Sequence, residues 1–193
     1  MQISCGMADG HFGTSNKTQE SNSMSTSLDL SKLSLMDALD LAILIEEEAR
    51  QRYEMFASQL SGYDAGSFFA SMAENEAKHG TDLLNQRMDL FGKAPMKVKL
   101  TDLYDVEAPE MGAPRRGMST VQAFEVGLEA EQKAHDFYDS ALSGITDPEV
   151  RTLFTELRDE ETEHVEMLQE AMAKLPSSAS VEIENDPDDA PYL

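Results

Sequence analysis

Four stretches of the chain carry apolar residues at the i, i+3, i+4, i+7 spacing of an amphipathic helix. The first begins after Ser34, a good N-cap, and runs to about Leu60, where Ser61-Gly62 stops it. The second covers about 64–91 and ends at Gly92 and Pro95. The third starts near Ser119 and stops around Gly144. The fourth opens with Asp147-Pro148-Glu149, a cap followed by proline at the first helical position, and ends before Pro176. At 1.5 Å per residue, a helix of roughly 25 residues is about 38 Å long.

The connections between these helices are unequal. Only a few residues join the first to the second and the third to the fourth, which predicts two antiparallel hairpins. Residues 92–118 form a long link with three prolines and no helical period. A link of that length can travel the full height of a bundle. The pattern predicts an all-α fold: a four-helix bundle of two antiparallel hairpins joined by one long crossover. Residues 1–28, rich in Ser, Asn, Thr and Gly, are expected to be a disordered N-terminal arm. Residues 176–193, with five acids and no base, are expected to be a disordered acidic tail. The folded domain is expected over 29–175.

A shift of 85 residues superimposes one hairpin pattern on the other. Leu39, Ala42, Glu46, Ala49, Tyr53 and Leu60 on the first helix meet Phe124, Gly127, Glu131, Ala134, Tyr138 and Ile145 on the third. Each face is apolar except for one glutamate and, two turns on, one tyrosine. The second helix carries Phe69, Met72, Glu76, His79 and Leu83, and the fourth answers with Phe154, Leu157, Glu161, His164 and Leu168. Both stripes are interrupted by Glu-x-x-His, whose i, i+3 spacing puts a carboxylate and an imidazole side by side, within reach of one ion. A lone Glu-x-x-His says little, whereas registration of four glutamates, two histidines and two tyrosines on one offset is specific.

Composition narrows the reading. The 193 residues hold 37 Asp+Glu against 15 Lys+Arg, a formal net charge of -22. The arm carries -1 and the tail -5, which leaves -16 on 29–175. Such a charge disfavours nucleic acid and anionic membrane surfaces as partners. The longest purely apolar run is Leu41–Ile45, too short to cross a bilayer. One Cys excludes a disulfide framework, a Cys-rich zinc site and a C-x-x-C redox motif. No secretory signal is readable at the N-terminus, so a cytoplasmic location is expected. Most of the acids are expected to be solvated, including Glu47, Glu48, Glu74, Glu160 and Glu163, which fall off the apolar stripes. His135 is placed at a stripe edge or an interface, the twelve Met are read as core filler, and Cys5 and His11 receive no role.

Four carboxylates converging inside a bundle could not all stay ionised without compensation. Two divalent cations would cancel their charge. Oxygen and imidazole donors suit iron or manganese. One Glu from each of two helices and Glu-x-x-His from each of the other two is the known arrangement of di-iron and di-manganese carboxylate bundles.

The segments EEEARQRY, ENEAKHG, EAEQKAHDFY and DEETEH resemble the ferritin-like superfamily, most closely its rubrerythrin-type branch, over about residues 33–175. The resemblance implies Glu46 and Glu131 as terminal ligands, Glu76 and Glu161 as bridges between the metals, and His79 and His164 as caps on one ion each. It implies Tyr53 and Tyr138 as donors that hold ligand carboxylates in orientation. Rubrerythrins proper carry a further helix-3 glutamate where this chain has Ala134, and a four-cysteine rubredoxin domain that these 193 residues lack. Cage-forming ferritins carry a fifth helix, which the acidic tail does not resemble. The implied function is that of a non-haem di-iron oxidoreductase, ferroxidase- or peroxidase-like, in which two Fe(II) together give two electrons to O2 or H2O2. An external electron donor and a homodimer belong to the same implication. Two alternatives stand beside it: iron sequestration without turnover, and an oxygenase acting on an organic substrate.

Overall fold

The computed structural model describes residues 32–98 and 117–181. Their helices are α1 (Leu35–Gln59), α2 (Asp64–Phe91), α3 (Thr120–Leu142) and α4 (Pro148–Met172). Local chemistry fixes three of the four starts. Ser34 accepts a hydrogen bond from the Asp37 N–H. Ser119 and Gln122 form a reciprocal capping box. Asp147 accepts from the Glu149 and Val150 N–H groups, ahead of Pro148. α2 ends at Gly92, whose φ of 59° is a left-handed conformation that glycine adopts without a Cβ penalty.

α1 pairs with α2 and α3 with α4, as the short turns require. Two apolar clusters fill the bundle, one at each end. The first joins the early part of α1 (Leu39, Leu41, Ile45) to Leu83 of α2, Tyr138 and Ala141 of α3, and Leu153 and Phe154 of α4. The second joins the later part of α1 (Tyr53, Phe56) to Phe69 and Met72 of α2, Phe124 of α3 and Leu168 of α4. Val98 is buried in the first cluster and Met118 in the second, so the connection after α2 runs from one end of the bundle to the other. This is the single-crossover topology of ferritin-like bundles. The rest of the crossover and the N-terminal arm lie outside the described residues.

Two features go beyond the sequence pattern. Asp40 of α1 and Arg87 of α2 form a fully buried ion pair. Arg87 also donates to the Ala94 carbonyl (2.9 Å), and the Lys97 N–H donates to Asp40 (3.3 Å), which ties the start of the crossover down. At the other end, Ser177–Ser180 forms a short 3-10 turn within the stretch expected to be tail. Pro176 presets its entry, and the small apolar Ala179 is buried. Residues 182–193 lie outside the described residues. No helix among the described residues is long and apolar enough to cross a membrane.

Candidate metal centre

Between the two apolar clusters lies a polar layer, and the six residues singled out by the repeat are all in it. Glu46, Glu76, Glu131, Glu161 and His164 are buried, and the His79 side chain is 19% exposed. The rings of His79 and His164, from α2 and α4, stack with centroids 5.4 Å apart and 14° between planes. His164 Nδ1 lies 3.2 Å from Glu76, 3.5 Å from Glu131 and 3.7 Å from Glu161. His79 Nδ1 lies 3.7 Å from Glu46 and 3.9 Å from Glu76. Glu76 therefore reaches both imidazoles, the geometry a bridging carboxylate needs.

Three buried donor atoms in this layer make no hydrogen bond: Nδ1 of His79, Nδ1 of His164 and Oε2 of Glu161. Buried polar atoms are nearly always satisfied, so three together mark a place built for another partner. Ligand atoms of Glu76, His79 and His164 lie within 4.8 Å of one another, as do those of Glu131, Glu161 and His164 and those of Glu46, His79 and Glu160. The first group holds both histidines and each of the others holds one of them, so the three describe one extended site. Oxygen and imidazole donors fit iron or manganese.

The electrostatics show what the site does without an ion. Burial pushes the Glu161 carboxyl well above its ordinary range, and the charge and hydrogen bond of Glu131 add to the shift. Burial also raises Glu131, but the neighbouring Glu161, the His164 imidazole and the hydrogen bond from Tyr53 outweigh it and bring the group down to about 2. The two neighbouring carboxyls are thus pushed in opposite directions, Glu161 towards the protonated form and Glu131 towards the ionised one. The carboxylate of Glu46 raises His79 above its ordinary value against the opposing effect of burial.

A sequence model of the rubrerythrin family matches residues 37–172. This chain belongs to the rubrerythrin family. Members of the family typically bind iron, which agrees with the donor set described above. An uncharacterised conserved protein from Magnetospirillum magnetotacticum MS-1 has a similar crystal structure, with 26% identity, a TM-score of 0.64, and 75% of this chain and 97% of that one covered. A hypothetical protein from Pyrococcus furiosus, 24% identical with a TM-score of 0.55, shares the fold over 76% of this chain and 95% of its own. No curated protein matches the chain.

Both tyrosines are fully buried. The Tyr53 hydroxyl donates to Glu131 Oε1, across from α1 to α3. Tyr138 is equally buried, with its ring edge-on to Phe154 at 5.2 Å. Gly127 makes room for Tyr53, since a Cβ there would lie 3.4 Å from the ring. Glu47, Glu74 and Glu163 are exposed as expected, and Glu48 is half-buried. His135 stands apart from the centre, paired on the surface with Asp136 at 3.0 Å.

Glu160 is the correction. It was expected to be solvated, yet it is half-buried and within ligand reach of Glu46 and His79. Burial raises its carboxyl pKa, against the pull of His79. The 85-residue repeat hides it, because the matching position is Asn75. Its one sequence signal is position: it lies four residues before His164 and next to Glu161, one turn below a ligand on the flank that faces α2.

Proposed function

We propose that this rubrerythrin-family chain is a non-haem di-iron oxidoreductase, ferroxidase- or peroxidase-like. Glu46, Glu76, His79, Glu131, Glu161 and His164 are its metal ligands, and Tyr53 and Tyr138 support them. The carrying observation is the buried layer of four carboxylates and two imidazoles with three donor atoms left without hydrogen bonds. When bound, a pair of iron ions supplies two electrons to H2O2 or O2. The chain's own part is to hold, insulate and proton-balance that pair. Glu76 spans the two imidazoles, the Tyr53 hydroxyl fixes Glu131, and the apolar clusters above and below keep water from the layer. Burial favours the protonated form of Glu161, and a cation that binds there must displace that proton, so loading is linked to pH. The reading includes manganese as the alternative metal, a cytoplasmic location and a homodimer. It also includes an external electron donor.

Anaerobic loading with Fe(II), followed by separate mixing with H2O2 and with O2, tests the proposal. Two iron ions per chain and oxidation much faster with peroxide are expected for a peroxidase, and preference for O2 for a ferroxidase. Oxidation that stops after one turnover even with a reductant present makes the chain a sequestering protein. Fewer than one tightly bound ion per chain, or binding unchanged in the double variant Glu76→Ala/Glu161→Ala, overturns the di-metal centre.

A further inference from the structure

The centre is not sealed equally on all sides. Five of its six ligand candidates are buried, while His79 borders a cleft of about 180 Å³ between α2 and α4. Glu160 lines the same cleft, as do Glu156, Asp82 and Lys78. Lys78 is engaged with Asp82 at 3.3 Å on the exposed rim, so the two cancel and leave the charges of Glu156 and Glu160 facing the opening. Inside it, ligand atoms of Glu160, His79 and the buried Glu46 lie within 4.8 Å of one another. Nδ1 of His79 is buried and makes no hydrogen bond. A mixed oxygen and nitrogen donor set with an unsatisfied imidazole atom differs from an ordinary solvated acid cluster.

The repeat supplies an internal control. Shifted by 85 residues, Glu160 corresponds to Asn75, Glu156 to Ser71 and Asp82 to Met167. The carboxylates of the cleft are therefore absent from the matching positions on α2 and α4, and His164, the counterpart of His79, is buried. The α2–α4 cleft combines an opening, negative charge and a ligand candidate at its inner end.

We propose that the α2–α4 cleft is the entrance for divalent cations and that Glu160 is its inner acceptor. Glu160 joins Glu46 and His79 in a three-residue position through which an ion passes into the centre. The proposal rests on the di-metal reading, and it adds a seventh donor with a transit role. A cleft focusing negative charge raises the local concentration of cations and speeds their capture.

The test is anaerobic stopped-flow binding of Co(II) to the full chain, followed by equilibrium stoichiometry of the same samples. Wild type is expected to bind two ions. Glu160→Gln is expected to bind the same two on the order of ten-fold more slowly, with a weaker dependence on ionic strength. Glu156→Lys, at an exposed position that leaves folding untouched, is expected to slow capture in the same direction. Glu163→Gln, an exposed acid outside the cleft, is expected to leave it unchanged. Two ions bound at the wild-type rate in both cleft variants would overturn the entrance while leaving the centre intact. Loss of one ion in Glu160→Gln would overturn the transit role by making Glu160 a resident ligand. Fewer than one ion in wild type would remove the di-metal reading itself.

Discussion

Glu131, Glu161 and His164 on the second hairpin are buried, with Tyr53 donating to Glu131 and burial raising the Glu161 carboxyl. Glu46 and His79, their partners on the first hairpin, sit beside a cleft and beside a carboxylate outside the repeat. Both hairpins place a glutamate on one helix and Glu-x-x-His on the next, 85 residues apart. Register thus decides where donors stand, while the neighbours between the repeated positions decide how each donor behaves. The two halves of one centre are chemically unequal for that reason.

Alanine at each histidine breaks this comparison most directly. Removing an imidazole ligand should cost more than the roughly 10–100-fold in metal affinity that follows loss of a ligand's supporting partner. His164→Ala is expected to exceed about 100-fold, because the sealed side offers no further donor among the described residues. His79→Ala is expected to lose less, since Glu160 is at hand on that side. Competition titration with a chromophoric chelator reads both, and equal losses would show that the open side has no spare ligand.

The turns of the hairpins differ as well. A Cβ on Gly66 would lie 2.5 Å from the Leu60 carbonyl oxygen, a backbone atom that cannot step aside. At the matching place on the second hairpin, Arg151 donates to the Ile145 carbonyl at 2.6 Å. One turn is closed by close backbone approach, the other by a side-chain hydrogen bond. Gly66→Ala is expected to destabilise by about 1–3 kcal/mol, as overpacking does, which lowers Tm by about 2–4 °C per kcal/mol in a chain of this size. Arg151→Ala should cost about 1 kcal/mol, the net worth of one hydrogen bond. Thermal unfolding of both variants decides, and an Arg151→Ala loss equal to that of Gly66→Ala would make the turns equivalent.

The helices and the six ligand candidates were legible in the sequence because they follow a single regular period and its repetition. Ser34 and Asp147 act as the caps expected of them, α3 starts beside Ser119 as expected, and the apolar stripes pack where their spacing points. Glu160 was not legible, because a one-dimensional stripe sorts residues into one face and its complement. A helix in a four-helix bundle meets two neighbours, and a residue on the flank of its stripe can face the second. The Asp40–Arg87 pair was hidden for a related reason: its matching positions are Glu125 and Met172, so no repetition flags it. Ala179 was masked by the acidic composition around it, although its own contact is apolar.

Protonation separates the halves through Glu161. Its carboxyl is raised in the folded chain, mainly by burial and next by Glu131. Above the ordinary glutamate value of about 4.3, the unfolded chain has released this proton while the folded chain keeps it. Stability without metal should therefore fall as pH rises through that window, by up to about 1.4 kcal/mol per pH unit from this group. Glu131 acts in the opposite sense, but its folded value near 2 confines that effect to pH below about 4.3. Metal binding displaces the Glu161 proton, so affinity should rise with pH over the same window. Glu161→Gln is expected to flatten the stability profile, raise the Tm of the metal-free protein at neutral pH and weaken metal binding. Denaturation at several pH values with chelator present checks it, and a parallel slope in Glu161→Gln and wild type would place the proton elsewhere.

The finest difference lies in the tyrosines. Tyr53 reaches Glu131 past Gly127, whereas the position matching Gly127 on the other helix is Ala42. The glycine beside Tyr53 thus has an alanine as its counterpart, and the Tyr53 hydroxyl is aimed at a ligand candidate. Removing that hydroxyl leaves Glu131 one hydrogen bond short and less firmly oriented. Tyr53→Phe is expected to weaken metal binding about ten-fold, the low end for loss of a ligand's supporting partner. Tyr138→Phe, which keeps its ring against Phe154, is expected to weaken it less. Gly127→Ala should shift the Tyr53 ring by a few tenths of an ångström and produce part of the Tyr53→Phe loss without removing any donor. Metal titrations of the three variants under one buffer rank them. A Tyr138→Phe loss equal to that of Tyr53→Phe would extend the symmetry of the repeat to this layer and confine the inequality of the two halves to the cleft.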